Sequence, residues 1–346
     1  MDPKVDPNLP PRIDVHVHYL PKFYQEACRQ NGHEFPDGMP YLPDWDEGEH
    51  LAMMDEYNIQ KSILSVSSPG CHLVPGNDSL ARNLCRQVNA FAADLKKRRP
   101  DRFGYFASLP LPDVEGCLAE IEKSSEEGCD GFVMLTNHHG HYLGDKSLDS
   151  VFDELNRRNA LIFIHPTTPH CSCSSEGIAA GQQPMNATPF QGKLPNPWLE
   201  FTFDTARVVT NLFLSGTVQR CPKIKIILPH LGGAFTPLLS RWTGFSELLP
   251  GPTWQTVNEE IVKEAFEKQI WFDMAGFPFP SQLKGLVEGV GVSHTRLMYG
   301  SDYPFTRIKG VELLIGQMDE GVKKMFNEEE IKDLYQRNAE KLLALR

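Results

Sequence analysis

Eight short apolar runs, most of them followed by a helical pattern, recur along the 346 residues. They are RIDVHVH from Arg12, KSILSVSS (Lys61–Ser68), FGYFASLP (Phe103–Pro110), GFVMLT (Gly131–Thr136), ALIFIHP (Ala160–Pro166), KIKIILPH (Lys223–His230), QIWFDMA (Gln269–Ala275) and RLMYGSD (Arg296–Asp302). Near-continuous apolar strands alternating with helices require cover on both faces, the condition of a parallel sheet. Eight such units predict a distorted (β/α)8 barrel of the TIM type rather than an open sheet, and such barrels routinely run to about 250 residues or more as one unit. No internal repeat or low-complexity tract interrupts this reading, so residues 1–346 are expected to form one α/β domain.

Two segments break the rhythm. Residues 21–47 are rich in Pro, Gly and acidic residues, and residues 167–198 are rich in Ser, Gly, Pro and Asn. Structureless loops beyond about 15 residues are usually functional or disordered. Both follow a strand's carboxyl end, the face on which barrels build active sites, so both are expected to be loop insertions over a site. Residues 1–11 are polar and proline-rich without an apolar h-region, and read as a disordered lead-in, not a secretory signal.

Composition excludes several classes of partner. The net charge of −11 argues against nucleic acid and anionic membrane. No window approaches the roughly 18 unbroken apolar residues of a membrane span. Of the eight cysteines only Cys171 and Cys173 cluster, which suits free thiols in a reducing compartment and hence the cytosol.

The strand ends carry the chemistry. The first run ends His16-Val17-His18, the fifth reaches His165, the sixth His230 and the eighth Asp302. Along the first run Ile13, Val15 and Val17 alternate with Asp14, His16 and His18, so both imidazoles point one way, with Asp14 deeper as a structural anchor. In a barrel all five site residues meet at one mouth, and imidazoles with a carboxylate suit a borderline divalent ion. Phe190, Trp198, Phe277, Phe279 and Phe305 follow strand ends and could line a flat apolar slot. In TNHHGHYLGD, His138, His139 and His141 lack a rigid element to fix a second metal, and His138 is the expected substrate contact.

The motifs RIDVHVHYLP, FIHP, LPHLGGAFTPLLSRW and MYGSDYPF resemble those of the amidohydrolase superfamily over nearly the whole chain, from DVHVH to QRNAEKLL. The branch they resemble is the aminocarboxymuconate-semialdehyde decarboxylase-like group. Within it, TNHHGHYLGD and the long loop after FIHP are similar to the fungal 6-methylsalicylate decarboxylases. That resemblance implies one divalent ion per subunit, Zn before Mn, held by His16, His18, His165 and Asp302, with His230 beside it as an acid/base. It implies conversion of 6-methylsalicylate to m-cresol in fungal polyketide metabolism of the patulin type. The fourth run ends without the lysine that bridges two ions in binuclear members, which favours a mononuclear site. Arg241 matches an arginine that in that group reaches a neighbouring subunit and binds a substrate carboxylate; here it would either do the same or pair with acidic residues at a subunit contact, and both imply a homodimer or larger homo-oligomer. A second carboxylate-binding arginine of that group, before the tryptophan matching Trp45, has no counterpart in PDGMPYLPDWD, so an aromatic monoacid is expected.

Direct loss of CO2 from an aryl ring leaves a poor carbanion. Protonating the carboxyl-bearing carbon first, with an electron push from an ortho hydroxyl, is the accessible route. Asp302 is the expected proton donor, with His230 orienting it or exchanging roles with it. Two rivals remain: a mononuclear hydrolase opening a lactone or amide by the same site, and a silent barrel used for binding.

Overall fold

A computed structural model describes residues 6–171, 185–249 and 251–344, the side chain of Cys171 excepted. Eight strands form one sheet in sequence order: β1 (Arg12–His18), β2 (Ile59–Ser65), β3 (Phe103–Ser108), β4 (Gly131–Leu135), β5 (Leu161–His165), β6 (Lys225–Leu228), β7 (Ile270–Asp273) and β8 (Leu297–Met298). Every neighbouring pair along that order is parallel. The ring closes through β1 and the chain beyond β8, where Val15 N donates to Tyr299 O (3.1 Å), Asp302 N to His16 O (2.8 Å) and His18 N to Tyr303 O (2.7 Å). The (β/α)8 expectation is met.

Two apolar layers follow from this closure. Ile13, Val15, Ile63, Phe106, Val133, Phe163, Ile227, Trp271 and Met298 form a cluster drawn from all eight strands, which only a barrel interior can bring together. Ala339 and Leu342 of the helix Asn338–Ala344 pack against it. A second, larger cluster lies between the strands and the surrounding helices. The helix Asp78–Arg98 is tied to β3 by a buried amide: Asn89 Nδ2 donates to Ser108 O (2.9 Å) and Asn89 Oδ1 accepts from Ser108 N (2.8 Å). Asn89→Ala orphans both backbone groups and should cost about 1–3 kcal/mol, read as a lower denaturant midpoint with an unchanged slope.

Several sequence-based expectations change. The strict alternation of β1 does not hold. Its pairing with β2 slips between Asp14 and Val17, so Ile13 and Val15 join the inner cluster while Val17 joins the outer one. Such a bulge places an extra residue and turns the following side chains to the other face. The eighth run is regular strand only over Leu297–Met298, and beyond it the chain turns at Asp302, whose φ is 59°. Residues 21–47 are not all loop: Lys22–Gln30 is a helix that buries Tyr24, Gln25 and Cys28. In the lead-in, Leu9 is buried and Asp6 pairs with Lys323. Residues 1–5 lie outside the described residues.

Candidate metal centre and active site

The bulge sends His16 and His18 into the barrel mouth, where β5 delivers His165 and the turn beyond β8 delivers Asp302. One ligand atom from each of these four residues lies within 4.8 Å of the others. His18 Nε2 is 3.2 Å and His16 Nε2 3.6 Å from Asp302 Oδ1. Gly300 allows the close approach, since a Cβ there would stand 2.7 Å from that of His16.

The outer edge of each ring fixes its tautomer. His16 Nδ1 faces Asp273 Oδ2 at 2.9 Å, His18 Nδ1 faces Ser65 O at 3.3 Å and Ser65 Oγ at 3.1 Å, and His165 Nδ1 faces Pro166 O at 2.7 Å. Carbonyl and carboxylate oxygens only accept, so each Nδ1 carries the proton and donates it. Each Nε2 then presents a lone pair to the cluster. His16 Nε2 is buried without a hydrogen-bond partner. Three such nitrogens and a carboxylate fit a single divalent cation.

Electrostatics agree with that donor set. Burial, with the neighbouring imidazoles, pushes His18, His165 and His230 below the ordinary histidine value. Burial would raise Asp302, but His18, His16 and His230 hold it well below the usual carboxylate range. His16 moves oppositely: against burial, Asp273 and then Asp302 raise it to about 9, so near neutral pH a cation would have to displace a proton from its Nε2. Asp14 lies behind the cluster, where Asp14 Oδ1 accepts from His16 N (3.2 Å) and Ser301 N (3.1 Å). Burial raises its carboxyl to about 7.

His230 stands just past β6 in the left-handed region, with φ 50°. Its N–H donates to Asp273 Oδ1 (3.0 Å), its carbonyl accepts from Gln282 Nε2 (2.7 Å), and its ring centroid is 4.8 Å from that of His16. His230, His165 and Asp302 face a cavity of about 630 Å³ walled by Trp198, Phe201, Phe277 and Phe305. Phe305 meets the His18 ring edge-on at 5.6 Å.

Other expected contacts lie elsewhere. His138 lines a separate cavity of about 270 Å³ with His33, His72, His139 and His170, because the short hairpin after β4 turns it away from the mouth. Arg241 is exposed on the helix Leu239–Leu248, stacked 5.1 Å from the Phe245 ring, and does not line this chain's 630 Å³ cavity. Phe190 and Phe279 face other grooves. Among the described residues His138, His139 and His141 form no metal-binding group. Cys173 lies outside the described residues. The residue that sequence reasoning passed over is Asp273. It ends β7, two residues inside the seventh run, and it orients both His16 and His230.

The profile of the amidohydrolase family matches residues 13–345. Decarboxylase macB of Penicillium terrestre is 32% identical over 329 residues, 92% of each chain. The 6-methylsalicylic acid decarboxylase of Penicillium expansum is 32% identical over 297 residues, 85% of each. The crystal structure of 5-carboxyvanillate decarboxylase from Novosphingobium aromaticivorans, complexed with manganese and a nitrobenzoic acid, superposes with a TM-score of 0.79, covering 100% of this chain and 99% of that one at 21% identity.

Proposed function

The chain belongs to the amidohydrolase family, and on that premise we propose that it is a carboxy-lyase that releases CO2 from an aromatic hydroxy acid, with 6-methylsalicylate as substrate and m-cresol as product. One observation carries this reading: three lone-pair nitrogens and a carboxylate, suited to one cation, open into a cavity with aromatic walls. The decarboxylating relatives support the reaction and the Penicillium expansum enzyme supports the substrate. His16, His18, His165 and Asp302 would hold Zn or Mn; the imidazole-rich set suits the first, and manganese is the ion in the 5-carboxyvanillate enzyme. A bound divalent cation supplies positive charge where the substrate's carboxylate and ortho-hydroxyl oxygens gather.

The chain's own groups then move one proton. Asp302, a quarter exposed to the cavity, rests as a carboxylate and takes the phenolic proton as substrate binds. It delivers that proton to the carboxyl-bearing carbon, which the phenolate oxygen has made electron-rich. The ring-to-carboxylate bond breaks, CO2 leaves with neither proton nor charge, and the electron pair restores the ring as a phenolate. Water reprotonates the oxygen. His230, fixed at its N–H and carbonyl, holds the neighbouring charge and orients Asp302. Phe305 and Trp198, both on the cavity wall, would contact the ring. Arg241 would act on a neighbouring subunit's substrate in a homo-oligomer. The buried thiols of Cys28, Cys71, Cys85, Cys117 and Cys221 suit the cytosol, and no described helix is long and apolar enough to cross a membrane.

Headspace CO2 and phenol product are measured with 6-methylsalicylate and related salicylates, beside lactone, ester and amide substrates. Equimolar CO2 and m-cresol are expected, abolished by chelation and restored by Zn or Mn. Turnover of a lactone or amide with the acids left intact would sink the reading in favour of hydrolysis.

A further inference from the structure

The 630 Å³ cavity has an uneven charge pattern. Among its described lining residues there is no Lys or Arg, and the formally charged groups are Asp302 and Asp37. Asp302 is committed to the ligand cluster. Asp37 is not: it sits in the turn Pro36–Gly38 at a left-handed φ of 56°, which Asp adopts more readily than most non-glycine residues. What holds it is the chain just past β5. Asp37 Oδ1 accepts from Thr168 N (3.0 Å) and Thr168 Oγ1 (2.6 Å), and Asn196 Nδ2 donates to that same Thr168 oxygen (2.8 Å). Three segments remote in sequence therefore clamp one carboxylate into the wall. Asp37 also lines the smaller histidine-rich cavity, so it stands on the partition between the two. Burial raises its carboxyl, and the hydrogen bonds from Thr168 and Ser68 oppose that rise.

We infer that Asp37 is a specificity-determining residue: its clamped carboxylate rejects aromatic acids bearing a second anionic group and leaves the cavity to monoacids whose other ring substituents are neutral. This rests on the decarboxylase reading above. A substrate's first carboxylate has the cation cluster to receive it. With Arg241 of a neighbouring subunit assigned to that first carboxylate, a second one must shed water inside a wall to which this chain contributes no described cationic side chain and one like charge, and neither loss is compensated. A neutral group of similar size meets no such penalty. Asp37 can accept further hydrogen bonds, since a carboxylate has about four lone-pair sites, so a ring hydroxyl is tolerated where a carboxylate is not.

The test uses the full-length, metal-loaded protein with two ligands differing in one charge: 4-hydroxyisophthalate, and its monomethyl ester at the carboxyl para to the hydroxyl. Calorimetric affinity and CO2 release are measured for both, in wild type, Asp37→Asn and Asp37→Ser. Asn keeps the Oδ1 acceptor that Thr168 needs, and Ser guards against a fold-specific failure of Asn. Wild type should prefer the ester by about tenfold or more, and both variants should narrow that preference to within about threefold. A mere packing role for Asp37 would change both affinities together and leave their ratio alone. An unchanged ratio in the variants, or no preference in wild type, overturns the proposal. Binding of the pair without CO2 release from any acid would count against the decarboxylase reading alone, and the affinity ratio would still decide the role of Asp37.

Discussion

Asp302→Asn will fold with normal thermal stability, yet its turnover of the aromatic acid at saturating metal will fall by about a thousandfold or more, within the range lost when a positioned general acid is removed. The amide keeps the shape and one oxygen that can still face the cation. It cannot take up the phenolic proton or return it to the ring carbon. The prediction is sharp because three imidazoles press on Asp302 from the cluster side while a quarter of its side chain opens to the cavity. Single-turnover CO2 release with metal content measured on the same sample separates a chemical defect from a binding one. Turnover near wild type, with metal in place, would move the proton to His230, and His230→Ala would then be the more damaging change.

Asp273→Asn should weaken metal affinity by about 10–100-fold, the usual cost of losing a hydrogen-bond partner behind a ligand, and turnover should fall with it. Asp273 Oδ1 accepts from both His230 N and Ala275 N (3.0 Å each), while Oδ2 accepts from His16 Nδ1 (2.9 Å). An amide has one acceptor end. If its oxygen keeps the two backbone donors, its NH2 must face His16 Nδ1 and force that nitrogen to accept. The proton then moves to His16 Nε2, and the lone pair aimed at the cluster is lost. Metal titration by calorimetry, with apo-protein stability as a control, reads this directly. Undiminished affinity would mean that Asp273 is a packing residue only.

Much of the site was legible because strand ends are local objects. The pair His16 and His18, and the single residues His165, His230 and Asp302, lie at the ends of apolar runs, and a barrel must gather such ends on one face. Asp273 ends its strand but stands two residues inside its apolar run, where a carboxylate reads as an interruption. His138 and Arg241 were harder, since they follow a strand or a loop by several residues. Their direction depends on a two-residue hairpin and on the exposed surface of a short helix.

The apolar periodicity and the order of the eight runs determined the barrel, because parallel strands buried on both faces announce themselves in composition alone. The residue types at the strand ends likewise determined which donors the candidate metal centre offers, since donor softness belongs to the side chain. The tertiary structure decided the directions. A register slip in β1 turned His16 and His18 inward after Ile13 and Val15 had already pointed there. Left-handed turns aimed His230 and Asp302, with φ of 50° and 59°. Oxygens from neighbouring strands and turns chose which nitrogen of each ring would be free. For His16 and His18 the tautomer is set by Asp273 and Ser65, distant in sequence, and only folding brings those partners within about 3 Å; His165 uses the carbonyl of its own neighbour Pro166.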